Sequence, residues 1–317
     1  MLKDLLKLSW KYSGLILNRT LAPIELMLLA PNSAASAPSV WIIGPPRSGT
    51  TLLLQVLVRR YKFVYFSNFT AKLYGAPIIG IRLSDALKYT KEQSREFVSR
   101  YGRTELLGDP HEAGEFWYRW FPRGEHVYVE PNSMAQDQLI RFRREIIGMS
   151  KTANAPALFK NTYNTMRIAP IAEALPEAVF LVCERELVDT AQSILQGRIR
   201  NNGNKADWWS LPPKEIDQIR SHPYWQQVVE QVYYTYRQVD EDKKRFGEER
   251  FMSVSYHQLC MDTRGTLQSI YDFLKRRGIN LQFRSEVPGQ FPFSTGRKVS
   301  EDDYALIQQR VHELWKS

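Results

Sequence analysis

Cysteine is nearly missing from this chain: Cys183 and Cys260 are the only two in 317 residues. That excludes a disulfide framework and any zinc site built from four cysteines. Long apolar runs are missing too, since no stretch reaches the ~18 uncharged apolar residues that a membrane-spanning helix needs. The nearest candidate, Leu2 to Ala30, is interrupted by Lys3, Asp4, Lys7, Lys11, Arg19 and Glu25. It also lacks the compact apolar region and small-residue cleavage site of a signal peptide, so a cytoplasmic location is expected. There is no internal repeat and no low-complexity tract. Acidic residues are the minority, with Asp+Glu 34 against Lys+Arg 43, a net charge of +9. Such a balance suits an anionic partner: a phosphorylated ligand, an acidic glycan, a membrane surface or nucleic acid. What is present is ordinary for a folded protein, 43% hydrophobic and 24% charged, in a chain long enough to bury a large core unaided.

Residues 1–37 read as an amphipathic helix followed by a linker. Leu2, Leu6, Trp10, Ile16 and Leu17 fall on one side of the helix, and Lys3, Lys7 and Lys11 step along another at i, i+4. Two readings stay open: a weak peripheral contact at the inner membrane face through residues 1–30, or a helix docked on its own domain. The small, polar, proline-bearing residues 31–39 read as the connection to a single domain over 38–317.

Strand signals occur at Val40–Ile43, Lys62–Phe66, Ala157–Lys160, Ala178–Cys183 and Arg250–Val254. Helical patterns lie near 84–101, 133–150, 166–175, 189–198, 224–245, 263–277 and 301–315. Short apolar strands alternating with helices predict an α/β fold, a parallel sheet of about five strands covered on both faces. Residues 67–156 hold no strong strand signal and read as a largely helical insertion.

The first strand runs into Gly44-Pro45-Pro46-Arg47-Ser48-Gly49-Thr50-Thr51 and then into an apolar helix. Backbone N–H groups at such a helix start lack partners and carry the positive end of the dipole, so they bind phosphate or sulfate oxygens. Ser48, Thr50 and Thr51 add hydroxyl donors, and Arg47 adds a fixed cationic fork. The loop differs from G-x-x-x-x-G-K-[ST] of nucleotide hydrolases in having Thr50 where that loop has lysine. No apolar strand ends in the aspartate that such enzymes use to hold magnesium. A phosphorylated ligand without obligatory metal is expected, and a P-loop kinase or nucleotide hydrolase is the rival reading.

This loop resembles that of the sulfotransferase superfamily, in which P-R-S-G-T-T binds the 5′-phosphosulfate of 3′-phosphoadenylyl sulfate (PAPS). The resemblance extends over roughly 38–300 and is closest to the bacterial carbohydrate-type and protein-tyrosine-type branches. It implies that Pro46, Arg47, Ser48, Gly49, Thr50 and Thr51 hold the phosphosulfate, and that Arg185 and Ser193, eight residues apart in AVFLVCERELVDTAQSIL, bind the 3′-phosphate. It puts Lys160 in the role of catalytic lysine and Tyr256 beside the nucleotide. It makes Arg297 and Lys298 part of a basic loop closing over the nucleotide. Where the family usually has acidic residues after that tyrosine, this chain has His257 and Gln258.

The reaction so implied is in-line sulfuryl transfer from PAPS to a hydroxyl acceptor, with 3′-phosphoadenosine 5′-phosphate (PAP) as leaving group and no metal. A carbohydrate or glycolipid acceptor is favoured over a protein tyrosine or small hydroxylated molecule. Lys160 and Arg47 would stabilise the leaving oxygen, and a base would take the acceptor's proton. Gly108–Phe121 offers Glu115, Glu112 and His111 for that base, in that order of preference, beside Phe116, Trp117 and Trp120. Trp117, Trp120, Trp208 and Trp209 read equally as sugar-stacking faces or as packing. Ile199–Ser210 reads as a mobile acceptor-site loop. A nonenzymatic binder of acidic glycans or nucleic acid is the weaker alternative, because no nucleic-acid module with interleaved aromatics is visible.

Overall fold

The computed structural model describes residues 2–29, 38–89, 93, 94, 96, 97, 104–293 and 295–316, the side chains of residues 2–13 and 316 excepted. In chain order the elements are α1 (Leu2–Leu28), β1 (Ser39–Ile43), α2 (Thr50–Arg60), α3 (Pro77–Ala86), α4 (Gly114–Trp117) and α5 (Gln136–Ala153). There follow β2 (Ala157–Lys160), α6 (Ile168–Ala174), β3 (Val179–Glu184), α7 (Leu187–Asn202), α8 (Ile216–Ile219) and α9 (Tyr224–Phe246). The chain closes with β4 (Phe251–Ser255), α10 (Tyr256–Met261), α11 (Thr263–Arg276) and α12 (Glu301–Lys316).

The sheet is fully parallel, in the order β2-β1-β3-β4. Side chains alternate between its faces. Trp41 and Ile43 of β1, Phe159 of β2, and Phe180 and Val182 of β3 meet Phe116 and Trp117 of α4 and Phe142, Ile146 and Met149 of α5. Val40 and Ile42, Leu158, and Leu181 and Cys183 meet Leu53, Leu54 and Leu57 of α2 and Leu267, Ile270 and Leu274 of α11. Both faces are covered, which is why these strands carry continuous apolar runs. Each such side chain fully buried contributes on the order of 1.5–3 kcal/mol. A third cluster ties α7, α9 and α12 together through Ile194, Leu195, Val228, Val229 and Ile307.

Among the described residues the sheet has four strands rather than the five or so expected. Lys62–Phe66 touches β2 through one bridge, Val64 to Ala157. The flanking donors go elsewhere: Lys62 N–H to Gln282 O at 2.8 Å and Ser67 N–H to Thr70 Oγ1 at 2.7 Å. With those groups satisfied the ladder cannot extend. The insertion 67–156 contains α3, α4 and α5, joined by irregular chain among its described residues. The helical pattern near 84–101 is not met where the chain is described beyond Ala86, the end of α3: 87 and 88 form a turn, and 93, 94, 96 and 97 are irregular. Residues 90–92, 95 and 98–101 lie outside the described residues, as does the connection 30–37.

The carboxyl ends of all four strands lie on one edge of the sheet. β1 leads into the glycine loop, β2 ends at Lys160, β3 runs into Arg185 and β4 into Tyr256. Neighbouring strands depart to either side of β1, the place where α/β sheets open a crevice for ligands.

Candidate active site

The loop from Gly44 to Thr51 is fixed by its own backbone demands. Gly44 has φ 139°, and a Cβ there would lie 2.8 Å from the Cys183 carbonyl. Its N–H donates to Thr165 Oγ1 at 3.0 Å, and the Thr165 hydroxyl donates to Gly44 O at 3.2 Å. Gly49, the residue before α2, has φ 97°, and a Cβ there would meet the Tyr256 ring at 2.2 Å. Arg47 adopts φ 71° without being glycine. The Ser48 hydroxyl donates back to Pro45 O at 2.8 Å and is fully buried. That geometry departs from the expectation that Ser48 offers its hydroxyl outward: the side chain closes the loop on itself.

Arg47, Arg185 and Ser193 form one connected group. Arg47 Nε donates to Ser193 Oγ at 3.0 Å, and Arg185 Nη1 donates to the Arg47 carbonyl at 3.0 Å. The Arg185 guanidinium lies 5.0 Å from the Tyr256 ring centroid. Burial pushes the Tyr256 hydroxyl pKa up. Ser193 is placed by α7, whose start is capped by Glu186 accepting from Val188 N and Asp189 N. α7 also clips the chain before α12. Gln192 Nε2 donates to Gly296 O at 2.9 Å, Lys298 N–H to Gln192 Oε1 at 2.8 Å and Gln196 Nε2 to Lys298 O at 2.8 Å. Lys298 thus sits in the same cationic neighbourhood, and burial together with Arg185 pulls its pKa down. Arg297 instead pairs with Glu301 at 2.8 Å on the surface.

A cleft of about 580 Å³ opens above these groups. Pro46, Arg47, Gly49, Thr50, Thr51, Arg185 and Tyr256 line one part, and Lys160, His111, Glu112, Tyr118, Tyr163 and Trp209 line another. Lys160 is almost fully buried (3% side-chain exposure), donates to the Glu112 carboxylate and reaches Thr51 Oγ1 at 3.2 Å. Glu112 is held from several sides. Asn161 Nδ2 and Trp117 Nε1 both donate to its carbonyl, at 3.0 and 2.8 Å, and Thr162 N–H donates to Oε2 at 3.4 Å. The next residue, Ala113, is buried with φ 49°, and its N–H donates to His111 Nδ1 at 2.8 Å. Left-handed backbone in a buried alanine is strained and persists where the surroundings over-determine it.

Glu115, the preferred base from sequence, lies elsewhere. Its carboxylate pairs with Arg123 at 2.5 Å, is 59% exposed and is not among the cleft's lining residues. α4 turns Phe116 and Trp117 into the core and Glu115 outward, so its aromatic neighbours do not cover it. Trp117 packs on Trp41 and Phe159, and Trp120 on Phe142, and neither lines the cleft. Trp209 does line the cleft, its ring lying over Gly197 so closely that a Cβ there would meet it at 2.4 Å. Residues 199–202 are the last turn of α7 rather than loop, closed by Gly203 at φ 79°.

Sequence reasoning missed Asn161, Thr162, Tyr163 and Tyr118, all lining the cleft, while Ser210, the last residue of the expected acceptor-site loop, lines it too. The first three follow β2 directly, so the strand-end rule that singled out Lys160 also pointed to them. Beneath Tyr118 and Tyr163 lies Arg167, its guanidinium 5.5 and 5.9 Å from their ring centroids. Burial pulls its pKa down to about 10. Among the described residues no group of three or more His, Cys, Asp or Glu is arranged to hold a metal ion.

The sulfotransferase family model matches residues 38–277, so the chain belongs to the sulfotransferase family. A sulfotransferase from Mycobacterium avium superposes with a TM-score of 0.52 at 14% identity, covering 94% of this chain and 72% of that one. A sulfotransferase from Mycobacterium tuberculosis H37Rv gives 0.51 at 14% identity, covering 94% and 81%. At this identity the two likenesses speak for the fold. No curated protein matches the chain. Family membership makes the protein a transferase of sulfuryl groups to a hydroxylated acceptor.

Proposed function

We propose that PAPS is the sulfuryl donor and that the acceptor is a carbohydrate or glycolipid hydroxyl. The observation that carries the reading is the convergence of the glycine loop, the Arg47–Arg185–Ser193 group and the Lys160–Glu112 pair on one cleft. The residues fit the donor. The amides that open α2 suit a sulfate or phosphate. Arg185 Nε is buried with no partner among the described residues, a donor placed to receive the 3′-phosphate. When bound, PAPS supplies an activated sulfuryl group whose S–O bond to the 5′-phosphate breaks in the transfer.

The chain's own groups then have distinct tasks. The amides and hydroxyls of Gly49, Thr50 and Thr51 hold the phosphosulfate. Arg185 and Ser193 hold the 3′-phosphate, and Tyr256 shapes the loop from below. Glu112 receives the proton of the acceptor hydroxyl as that oxygen bonds to sulfur, with His111 the other candidate in the cleft. Lys160 would stabilise the oxygen from which the sulfuryl group departs, where negative charge develops. Trp209, Tyr118 and Tyr163 supply aromatic faces of the kind that pack on sugar rings.

The test is a screen of glycan, glycolipid, tyrosine-peptide and small-alcohol acceptors with labelled PAPS, in EDTA and in magnesium. Label transfer to a glycan or glycolipid that survives EDTA is the expected result. Transfer to tyrosine or small alcohols alone replaces the acceptor assignment. Turnover abolished by EDTA and restored by magnesium contradicts a metal-independent site.

A further inference from the structure

Gly197 stands inside α7, where its backbone does not call for glycine. Its φ is not positive, and alanine is the better residue in a helix interior. What the position requires is the lack of a side chain. A Cβ there would have three atoms of the Trp209 ring, Cε3, Cζ3 and Cη2, within 2.9 Å, against ~3.5–4.0 Å for carbons in contact. Both sides of this contact are held. Next to Gly197, Arg198 is fully buried, donates to Gln227 Oε1 of α9 at 2.7 Å and lies 4.8 Å from the Trp208 ring centroid. Ile194 and Leu195 share a core cluster with Val228 and Val229 of α9. The backbone around Trp209 is tied as well. Gln231 Nε2 donates to Trp209 O at 3.1 Å and to Leu211 O at 2.8 Å. Asn202 Nδ2 donates to Trp208 O at 3.2 Å, and Trp208 Nε1 to Ser210 O at 3.2 Å. A side chain at 197 is therefore relieved by turning the indole off the helix. The indole lines the cleft, so that turn carries it into the cleft's own space.

We propose that Gly197 determines which acceptors fit: carrying no side chain, it lets Trp209 lie back on α7 and leaves room beside the indole for the sugar ring of the acceptor. The placement along α7 supports this. Ser193 and Gly197 are four residues apart and share one face of the helix, ~5–6 Å from each other. At Ser193 that face meets Arg47 of the glycine loop at 3.0 Å, and at Gly197 it meets Trp209. Arg47 and Trp209 line the same cleft, together with Lys160 and Glu112. One helix face thus serves the donor side through a hydroxyl and the acceptor side through a missing side chain. Gly197 acts in this way when the acceptor lies against Trp209, so the inference rests on that part of the proposed function and adds the residue that controls the space.

The experiment compares the wild type with Gly197→Ala, Trp209→Phe and the double variant, on whichever acceptor the wild type sulfates. Gly197→Ala is expected to raise the acceptor KM ~10–200-fold, the worth of one methylene in a substrate pocket, with PAP affinity by calorimetry unchanged. A damaged fold would instead lower PAP affinity along with turnover. In the Trp209→Phe background, where the smaller ring leaves space for the methyl, the same substitution should change KM by no more than about two-fold. Gly197→Leu in that background renews the crowding and should raise KM about ten-fold or more, which keeps the test open if Gly197→Ala alone fails to fold. A crystal structure of Gly197→Ala should show the indole turned into the cleft, a readout that needs no acceptor. An unchanged acceptor KM in folded Gly197→Ala, an equal rise in both backgrounds, or an indole that stays in place overturns the proposal. Transfer to tyrosine peptides in place of glycans overturns the carbohydrate reading alone, with Gly197→Ala still raising the KM for the peptide.

Discussion

The Lys160 ammonium donates to the carboxylate of Glu112, a residue 48 positions earlier in the chain, and stands 3.2 Å from the Thr51 hydroxyl of the phosphate loop. One buried cation thereby joins the end of β2, the start of α2 and the irregular segment before α4. The ion pair places a carboxylate and a positive charge side by side at the mouth of the glycine loop.

Glu112→Gln is expected to lower kcat by ~10²–10⁴, the range for loss of a general base, while PAP affinity stays near that of the parent. Glu115→Gln should leave kcat nearly unchanged, because its exposed pair with Arg123 is the kind that contributes little. Steady-state kinetics of the two variants decide between the carboxylates. Full activity in Glu112→Gln would move the role to His111.

Lys160→Ala should reduce kcat more than it weakens PAP binding, since its charge matters most as negative charge develops on the departing oxygen. Calorimetry with PAP alongside single-turnover rates separates the two effects. Equal losses in both would make Lys160 a binding residue only.

Gly49→Ala should cripple the nucleotide site. The substitution puts a Cβ 2.2 Å from the Tyr256 ring at a φ of 97°, and left-handed backbone alone costs an alanine about 1–2 kcal/mol. A PAP affinity reduced at least about ten-fold is expected, with a lowered melting temperature. Unchanged PAP binding would show that the loop does not carry the phosphates.

A pH effect follows from Glu145, on α5. Burial pushes its carboxyl from 4.5 up to about 7, against the opposing pull of Arg119 at 2.9 Å. Below about pH 4.5 folded and unfolded chains both hold this proton. Between pH 4.5 and 7 the folded chain keeps it and the unfolded chain loses it, so stability falls as pH rises and then levels off. The contribution is roughly 3 kcal/mol at 1.36 kcal/mol per unit. Urea unfolding at pH 5 and pH 8 should show this difference shrinking in Glu145→Gln. A variant with the same pH dependence as the parent would remove Glu145 as its source.

The sequence was most readable where one local rule acts alone. Gly44 and Gly49 mark a loop that needs left-handed backbone, and the apolar run of β3 leading to Arg185 marks a buried strand whose carboxyl end opens on the cleft. Lys160 was readable for the same reason. Lys62–Phe66 has strand composition, yet its backbone is diverted to Gln282 and Thr70, a tertiary competition that no local pattern reveals. Glu115 and Glu112 lie three residues apart on similar chemistry. What separates them is the left-handed turn at Ala113, a position where neither glycine nor asparagine gave it away. In α1 the buried side chains include Asn18 and Glu25 while Ile16 and Met27 are exposed, which was hidden because periodicity shows which residues share a face but not which face meets the protein.

Calorimetric titration of PAP and AMP in EDTA, on the wild type and on Arg185→Ala, tests the central claim most directly. The account predicts that PAP binds more tightly than AMP by roughly 1.5–3 kcal/mol, the worth of a charged hydrogen bond to the 3′-phosphate. It also predicts that Arg185→Ala removes most of that preference while AMP affinity changes little. Equal affinity of the wild type for PAP and AMP, or a preference that survives Arg185→Ala intact, would contradict it.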